Sequence, residues 1–455
     1  TLQDKILVTV PSGGQIRGSS MKTRNHGHQI YSFRGIPYAQ PPIGNLRFRP
    51  PVAKRLTPSK KPFDATQDGP ECIQRDPMLG LVLGKEDCLV LNVYTRNINT
   101  TSRRPVMVFM HGGGFAVGSG SSSMYSPRRL LDHDIVLVTI NYRLHLLGFL
   151  STNDDASPGN YGLLDQTEAL KWVRDNIEAF GGDPNVVNIF GESAGSLFHS
   201  VIAQSGSPLC PWTKQKFPYF WAKKLAEDVG CTTHNTDRMM RCLRLMPVQI
   251  LILEMSKYSD TLMTPFRPVV DGYFLPNSSY DLLKHGDIVN KVPIMMGLIA
   301  EEGELVYEML IRPAIKRPLK LTDKLLTSVI ALALSIKEEE VNQEAIDLLR
   351  KEYFHSVDPN DAESIRDIII KNPLMVTMCS SCFLIAILML KLSKLKILCS
   401  RCGRNSQNLG IRLNILIRLK LMYQNGLDQS KMIFKSIIWI IHSEHSLIIQ
   451  TMINT

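Results

Sequence analysis

The first two hundred residues alternate short apolar runs with turn-forming segments. Short apolar runs bounded by Gly, Pro, Asn or Asp predict β-strands. The expected strands are Ile6–Val10, Ile30–Arg34, Leu89–Tyr94, Val106–Met110, Ile135–Asn141, Val186–Phe190 and Val201–Gln204. By contrast, Leu163–Phe180 places its apolar residues at helical spacing and is followed by two glycines. Strands that alternate with helices favour a mainly parallel sheet with helices on both faces.

The pattern changes beyond about residue 215, where helical spacing dominates. Phe220–Val229 and Asp323–Leu334 predict helices, and Val292–Leu298 predicts one more strand of the sheet. We therefore predict a single α/β domain over residues 1–370. Residues 371–455 form an unassigned basic tail that is poor in Gly and Pro and has no clear alternation of strands and turns.

The net charge of +10 over 455 residues lies almost entirely in this tail. Residues 371–455 carry 11 Lys or Arg but 2 Asp or Glu, so the preceding residues are nearly neutral. A nearly neutral body has no broad basic face of the kind that binds nucleic-acid phosphates. We expect no nucleic-acid partner.

A G-x-S-x-G pentapeptide, Gly191–Gly195, directly follows the predicted strand Val186–Phe190. In such a motif a sharp strand-to-turn junction presents the central serine, here Ser193, at the end of a sheet. The flanking glycines let the chain bend without a clash from a Cβ atom. The pentapeptide is a weak signal when it occurs alone, so its context decides how it is interpreted.

A second motif, His111–Phe115, reads HGGGF and follows the predicted strand Val106–Met110. Backbone N–H groups of a glycine-rich loop at this place are the usual donors of an oxyanion hole, which stabilises the negative charge of an acyl-transfer intermediate. The two motifs, in this order and each after a strand, predict a serine hydrolase that cleaves esters.

These residues, together with several further segments, resemble the type-B carboxylesterase/cholinesterase family, a group of α/β-hydrolases. The further matching segments are Phe33–Ala39, Pro41–Gly44, Glu86–Tyr94, Asn141–Arg143, Leu163–Gln166, Gly181–Pro184 and Pro268–Gly272. The similarity covers about residues 5–310 and continues loosely to about residue 370. It implies an α/β-hydrolase fold and hydrolysis of a small-molecule carboxylic ester, with no metal and no organic cofactor.

The resemblance also implies roles for individual residues. Ser193 corresponds to the nucleophile, and Gly113, Gly114 and Ala194 correspond to the residues whose N–H groups form the oxyanion hole. Glu302, which precedes Gly303, corresponds to the acid that orients the catalytic histidine. Its neighbours Glu301 and Glu304 stay open as alternatives.

No catalytic histidine is assigned. The chain order of this fold is serine, acid, histidine, so the base is expected after Glu302. The histidines beyond that point are His355, His442 and His445. None of them stands in the G-x-x-H-x-[DE] context of the family.

Two further departures concern length and composition. Between Gly195 and Val201 the chain has too few residues for the helix that normally follows the nucleophile. This short segment and the basic tail are interpreted as a skipped segment and a shifted reading frame. The alternative to a working esterase is a cholinesterase-like binding or adhesion protein, or an inert fragment.

Four of the nine cysteines correspond to the two short disulfide loops of the family, Cys72–Cys88 and Cys231–Cys242. Disulfides imply an oxidising compartment, and we expect the protein in the extracellular space or the ER lumen. No secretory leader is recognised ahead of the predicted domain, so we expect it to have been removed or to lie outside this sequence. Asn99 and Asn277 each begin an N-x-[ST] tripeptide, the acceptor pattern for N-glycosylation.

Two patterns in the tail are similar to a zinc-binding motif and to a membrane span. Cys379, Cys382, Cys399 and Cys402 have the spacing of a zinc ribbon, but the segment between the pairs lacks the glycine-bearing turns of such a site. We expect no metal. The uncharged stretch 372–390 approaches the length of a membrane span, but its proline and hydroxyl residues argue against one, and no span is expected.

Overall fold

The structure is a computed structural model. It describes residues 6–76, 79–193, 201–206, 208, 213–258, 264–287, 294–298, 304, 307–308, 319–334, 338–371, 437–441 and 447–451.

The secondary structure is dominated by β-strands in the first half of the chain and by helices in the second. The strands are β1 Leu7–Thr9, β2 Gln15–Arg17, β3 Ser19–Lys22, β4 Gln29–Pro37, β5 Phe63–Asp64, β6 Gln74–Arg75, β7 Val82–Leu83, β8 Val90–Thr95, β9 Arg104–Met110, β10 Val136–Ile140, β11 Gly182–Glu192, β12 Val201–Gln204, β13 Ile294–Leu298, β14 Ile437–Ile441 and β15 Leu447–Thr451. The α-helices are α1 His145–Phe149, α2 Tyr161–Asn176, α3 Pro218–Asp228, α4 Thr236–Leu245, α5 Val248–Met255, α6 Ser279–His285, α7 Asp323–Leu334, α8 Gln343–Tyr353 and α9 Ala362–Lys371.

Ten of these strands form one mixed sheet with the order β15-β14-β13-β12-β11-β9-β10-β8-β4-β3. The five central strands, from β13 to β10, pair in parallel, and the outer strands pair antiparallel. β1, β2 and β5 form a separate small sheet, and β6 and β7 form a hairpin. A mixed sheet with a parallel centre, flanked by helices, agrees with the α/β architecture predicted from the sequence.

The predicted strands are present with shifted ends, whereas two strands of the tail were not predicted. Val201–Gln204 is found with the expected bounds, while the strand expected at Val186–Phe190 extends over Gly182–Glu192. In the tail, β14 pairs antiparallel with β13, and β15 pairs antiparallel with β14. The tail shows no clear alternation of strands and turns in its sequence, and the structure adds these two strands to it.

β10 and the second half of β9 are buried on both faces. In β9, Val106, Val108 and Met110 belong to the main hydrophobic core. Phe109 faces the other side, where it packs in a smaller cluster with Phe190. This arrangement explains why the run reads as continuously apolar rather than alternating.

The helix predicted at Leu163–Phe180 is found as α2, followed by a 3-10 turn over Ile177–Phe180. The segment ends at Gly181, whose φ of +80° is in the left-handed region. A Cβ atom on this residue would lie 2.6 Å from the carbonyl oxygen of Asn97. Only glycine therefore fits at this helix end.

The helices after residue 215 divide between two cores. α3, α4 and α5 contribute to the main core through small and apolar side chains such as Ala222, Leu225, Met239 and Leu251. α7, α8 and α9 share a second apolar cluster that includes Leu326, Val329, Ile346, Ile365 and Ile369.

No helix in the described part of the chain is long and apolar enough to cross a membrane. The uncharged stretch 372–390 and the four tail cysteines with zinc-ribbon spacing lie outside the described residues.

A buried ion pair joins the segment after β10 to α2. The backbone N–H, Nε and Nη2 of Arg143 all donate to the carboxylate of Asp165, over 3.0, 2.7 and 2.6 Å. The side chains are 3% and 0% exposed, so neither charge has water to replace the partner. Removing one member of such a pair leaves an uncompensated buried charge, which is strongly destabilising.

We expect Asp165→Ala to lower the free energy of unfolding by about 3–5 kcal/mol, because the Arg143 guanidinium then stays buried without its partner. Lys171→Ala is the matched control, since it removes an exposed ion pair with Glu168 from the same helix. The control should cost less than about 1 kcal/mol. Urea unfolding measures both, and similar losses in the two variants would contradict the account.

Candidate active site

The register between β9 and β11 places the two predicted motifs side by side. The strands are parallel, and Gly191 lies opposite Met110. His111 and Ser193 therefore follow the same edge of the sheet on neighbouring strands. β10 and β12 lie on opposite sides of this pair. The chain thus leaves β9 and β11 in opposite directions, which is the switch point where open α/β sheets form their binding crevice.

Ser193 occupies a tight turn at the end of β11. Its φ is +60°, in the left-handed region that is strained for a side-chain-bearing residue. Its N–H donates to the carbonyl oxygen of Gln204 at the end of β12, over 2.8 Å. A Cβ atom on Gly206 would lie 2.0 Å from the carbonyl oxygen of Ser193, so the turn needs glycine at that position. These contacts hold the half-buried Ser193 in the geometry of a nucleophile elbow.

The triple-glycine loop lies directly against the residue before Ser193. A Cβ atom on Gly112 would be 2.7 Å from the carbonyl oxygen of Glu192 and 2.3 Å from its Oε2. Real Cβ atoms do not approach a backbone oxygen this closely, so only glycine permits the contact. The two motifs that the sequence analysis predicted to act together are therefore neighbours in space.

The carbonyl groups of the loop are bound inside the protein. Tyr142 Oη donates to the carbonyl oxygen of His111 over 2.8 Å. His111 Nδ1 donates to the carbonyl oxygen of Gly112 over 2.9 Å. The carbonyl oxygen of Gly113 accepts from the N–H groups of Ala116 and Val117, over 2.9 and 3.1 Å. Three successive peptide groups are thus fixed through their oxygens.

This anchoring determines where the loop's N–H groups point. A trans peptide group directs its C=O and N–H in opposite directions. The N–H groups of Gly112, Gly113 and Gly114 therefore point away from the interior partners of the carbonyls. Among the described residues, no hydrogen bond uses the N–H of Gly113 or Gly114. These two groups are available as donors to a ligand, as an oxyanion hole requires.

The His111 ring positions this loop in its neutral form. It stacks on the Tyr142 ring, with the centroids 4.4 Å apart and the planes at 17°. Burial lowers the pKa of His111 from 6.5 to about 4, although its hydrogen bond to Gly112 acts in the opposite direction. At neutral pH the ring is therefore uncharged, with the proton on Nδ1 where it donates to the carbonyl oxygen of Gly112.

A second buried histidine, His145, supports the far side of the loop. Its N–H donates to the carbonyl oxygen of Phe115, and its Nε2 donates to that of Ile73, each over 2.6 Å. Burial also lowers the pKa of His145 to about 4. His145 therefore joins the end of the glycine loop to the segment beside Cys72.

The Cys72–Cys88 disulfide is present, and it holds a glutamine against the same loop. Gln74 Oε1 accepts from the N–H of Gly118 over 2.7 Å, and Gln74 Nε2 donates to the carbonyl oxygens of Gly118 and Cys72 over 3.0 Å each. The side-chain amide thus forms a two-point clamp on the end of the loop. Gln74 and His145 belong to no matching segment, and Tyr142 lies in the matching segment Asn141–Arg143 without an assigned role, so none of the three roles was predicted.

The second predicted disulfide, Cys231–Cys242, is also present. It joins the end of α3 to α4, with the two Cα atoms 5.8 Å apart. The sequence prediction of both disulfide pairs is therefore confirmed.

The remaining predicted site residues are only partly described. Ala194, Glu301 and Glu302 lie outside the described residues. Glu304 is described, and its carboxylate pairs with the guanidinium of Arg366 in α9 over 2.6 Å. This ion pair gives Glu304 a role in holding α9. The assignment of the acid to Glu302, with Glu301 as the alternative, stays a prediction.

The catalytic base is expected after Glu302, and one of the three histidines in that part of the chain lies among the described residues. His355 follows α8 and is exposed. His442 and His445 lie outside the described residues. The described part of the candidate site therefore consists of the turn at Ser193 and the triple-glycine loop.

Comparison with known sequences decides the family. The sequence profile of the family described as the Carboxylesterase family matches residues 4–378. The chain belongs to this family. The α/β-hydrolase fold predicted from the sequence is the fold of carboxylesterases, and this prediction is confirmed.

Individual carboxylesterase relatives match over a similar range. The chain is 41% identical over 315 residues to a carboxylic ester hydrolase of Bombus ignitus, which covers 64% of this chain and 55% of that protein. It is 39% identical over 354 residues to a juvenile hormone esterase of Tribolium castaneum, covering 71% and 60%. A bile salt-activated lipase of Homo sapiens is 36% identical over 307 residues, covering 61% and 40%. The chain thus spans about half the length of these relatives.

The two buried histidines predict how stability depends on pH. The folded pKa of about 4 lies below the unfolded value of 6.5, so the unfolded chain binds protons first as the pH falls. Stability is therefore retained above pH 6.5 and lost as the pH falls toward 4. Each histidine should contribute about 2 kcal/mol of loss between pH 7.5 and pH 5.

We expect His111→Gln to remove about half of the histidine-dependent loss, and His111→Gln/His145→Gln to remove nearly all of it. The measurement is urea unfolding of the parent chain and both variants at pH 7.5 and pH 5. An equal pH dependence in the parent chain and the double variant would show that neither ring is held neutral by burial.

Proposed function

We propose that this carboxylesterase chain belongs to an enzyme that hydrolyses small-molecule carboxylic esters through an acyl-enzyme on Ser193. The observation that carries the proposal is the contact of Gly112 with the backbone of Glu192, which puts the glycine loop beside the nucleophile turn. The names of the carboxylic ester hydrolase and juvenile hormone esterase relatives support the same reaction class. No metal or organic cofactor is part of the proposal.

The proposed reaction has two steps at one carbonyl carbon. Ser193 Oγ attacks this carbon, and the carbonyl oxygen takes up the negative charge. The N–H groups of Gly113, Gly114 and Ala194 donate hydrogen bonds to this oxygen. The C–O bond to the alcohol then breaks, the alcohol leaves with a proton, and water later releases the carboxylic acid from Ser193.

A proton acceptor for the Ser193 hydroxyl completes the reaction. In the proposed triad Glu302 orients a histidine that takes this proton, and no residue of the chain is assigned as that histidine. Loss of the base in such a triad lowers turnover by about 10⁶-fold. One oxyanion donor is worth about 10²–10³-fold. Chemical labelling of Ser193 needs the same activation of its hydroxyl, but it identifies the reacting residue directly, which hydrolysis does not.

We also propose that the protein works in the extracellular space or the ER lumen. The disulfides Cys72–Cys88 and Cys231–Cys242 support this proposal, because such bonds persist in oxidising compartments. The described residues of the ester site supply backbone N–H donors and a hydroxyl, which suits a small neutral ester. Nucleic acid is not a proposed partner.

A fluorophosphonate probe should label the chain at Ser193, because the phosphoryl oxygen occupies the same position as an ester oxyanion. We expect Ser193→Ala to abolish the labelling. Ser205→Ala is the matched control, since Ser205 also has a positive φ, +53°, at the end of the neighbouring strand. Labelling is measured by intact mass and peptide mapping.

Retained labelling in Ser193→Ala would place the reactive serine elsewhere. Absence of labelling in the parent chain would support the alternative of a binding protein without hydrolytic function.

Gly112→Ala should slow the labelling of Ser193 by about 100-fold, the effect of losing one oxyanion donor. The added Cβ would meet the carbonyl oxygen of Glu192 at 2.7 Å and push the loop away from the elbow. Gly27→Ala is the control at a glycine outside both motifs: a Cβ there has nothing within 4 Å, although the φ of +67° leaves the new alanine locally strained. Labelling rates of both variants are compared with that of the parent. A normal rate in Gly112→Ala would mean that this contact does not set the oxyanion hole.

A further inference from the structure

The loop between β8 and β9 carries the tripeptide Asn99-Thr100-Thr101 on an exposed surface. This loop lies at the N-terminal end of β9, whereas the candidate active site lies at the C-terminal end of the same strand. β9 begins at Arg104, and the glycine loop follows its last residue, Met110. Seven residues of extended strand span roughly 20 Å. A group attached to this loop would therefore not obstruct the crevice.

The side chain of Asn99 is held with its amide nitrogen available. Its Oδ1 accepts from the backbone N–H of Thr101 over 3.0 Å and from the Thr101 hydroxyl over 2.9 Å. In the described part of the chain, no hydrogen bond engages its Nδ2. The carboxamide oxygen is thus occupied by two donors, and the nitrogen is the group of this exposed side chain that stays without one of these contacts.

The backbone around Asn99 is also fixed, so the side chain keeps this orientation. The carbonyl oxygen of Asn99 accepts from the N–H of Ser102 over 3.2 Å and from its hydroxyl over 2.7 Å. The N–H of Asn99 donates to Asn97 Oδ1 over 2.9 Å. The same Ser102 hydroxyl lies 3.1 Å from the carbonyl oxygen of Gly181, which joins the loop to the end of the α2 segment.

We propose that Asn99 is an N-glycosylation site. In the modification, Asn99 Nδ2 forms a bond to the anomeric carbon of an oligosaccharide carried on a lipid pyrophosphate. The bond from that carbon to the pyrophosphate oxygen breaks, the lipid pyrophosphate leaves with the electron pair, and Nδ2 loses one proton. The proposal rests on the proposed oxidising compartment and is independent of ester hydrolysis.

The other acceptor tripeptide, Asn277-Ser278-Ser279, lacks the arrangement seen at Asn99. Asn277 Oδ1 accepts from the N–H of the adjacent Ser278 over 2.7 Å. The Ser278 hydroxyl caps α6 by accepting from the N–H of Asp281 over 3.1 Å, and Ser279 is the first residue of that helix. Among the described residues, no contact joins the third-position hydroxyl to the asparagine amide. Asn277 therefore serves as the internal comparison.

The test is expression of the full chain behind a cleavable signal peptide in a eukaryotic secretory host. The signal peptide supplies entry to the ER, so the result does not depend on the native targeting of the chain. Chains whose signal peptide has been removed are treated with peptide N-glycosidase F in H₂¹⁸O. Peptide mass spectrometry then detects conversion of Asn99 to ¹⁸O-labelled aspartate, which marks a released glycan.

Four variants separate the tripeptide from other effects of mutation. Thr101→Ala should abolish the mark at position 99, because it removes the hydroxyl of the acceptor pattern. Thr100→Ala is the matched control and should retain it, since it changes the neighbouring exposed threonine and leaves the pattern intact. Thr101→Ser should also retain it. Asn277→Gln should leave the mark at position 99 unchanged.

An unmodified Asn99 in ER-processed parent chain would overturn the proposal, as would equal marking in Thr101→Ala and Thr100→Ala. Fluorophosphonate labelling of the same preparations is measured separately. A glycan without labelling would contradict the proposed hydrolysis and leave the glycosylation site supported. Labelling without a glycan would contradict the glycosylation site and leave the proposed hydrolysis supported.

Discussion

The structure of this carboxylesterase chain depends on one constraint, the parallel register of β9 and β11. With Gly191 opposite Met110, the segments that follow the two strands leave the sheet at the same edge and at the same height. A glycine at position 112 then lets the loop touch the backbone of Glu192. A shift of the register by one residue would move every side chain of the strand to the other face of the sheet. It would also separate the loop from Ser193.

The glycine loop of the proposed oxyanion hole is shaped from behind, by buried groups. Tyr142 and the neutral His111 ring bind the first two carbonyl oxygens of the loop. Gln74 holds the end of the loop at Gly118, beside the Cys72–Cys88 disulfide. A buried polar group costs free energy unless it is paired, so these partners also stabilise the fold. Orientation of the N–H donors and stability of the loop therefore have the same physical origin.

The sequence was sufficient to predict those features that depend on local patterns. Apolar runs located the central strands, glycine spacing located the two motifs, and family resemblance paired Cys231 with Cys242. Gln74 and Tyr142 could not be predicted, because their roles arise from contacts with residues distant in the chain. The strands β14 and β15 were missed because their apolar runs lie in a tail without turn signals. Glu302 and Ala194 remain predictions from family resemblance.

The most direct test of the account is a crystal structure of the chain after reaction with a fluorophosphonate. We predict a covalent bond between phosphorus and Ser193 Oγ, with one phosphoryl oxygen within about 3 Å of the nitrogens of Gly113 and Gly114. An unmodified Ser193, or a phosphoryl oxygen directed away from the glycine loop, would contradict the claim that these two motifs form one site.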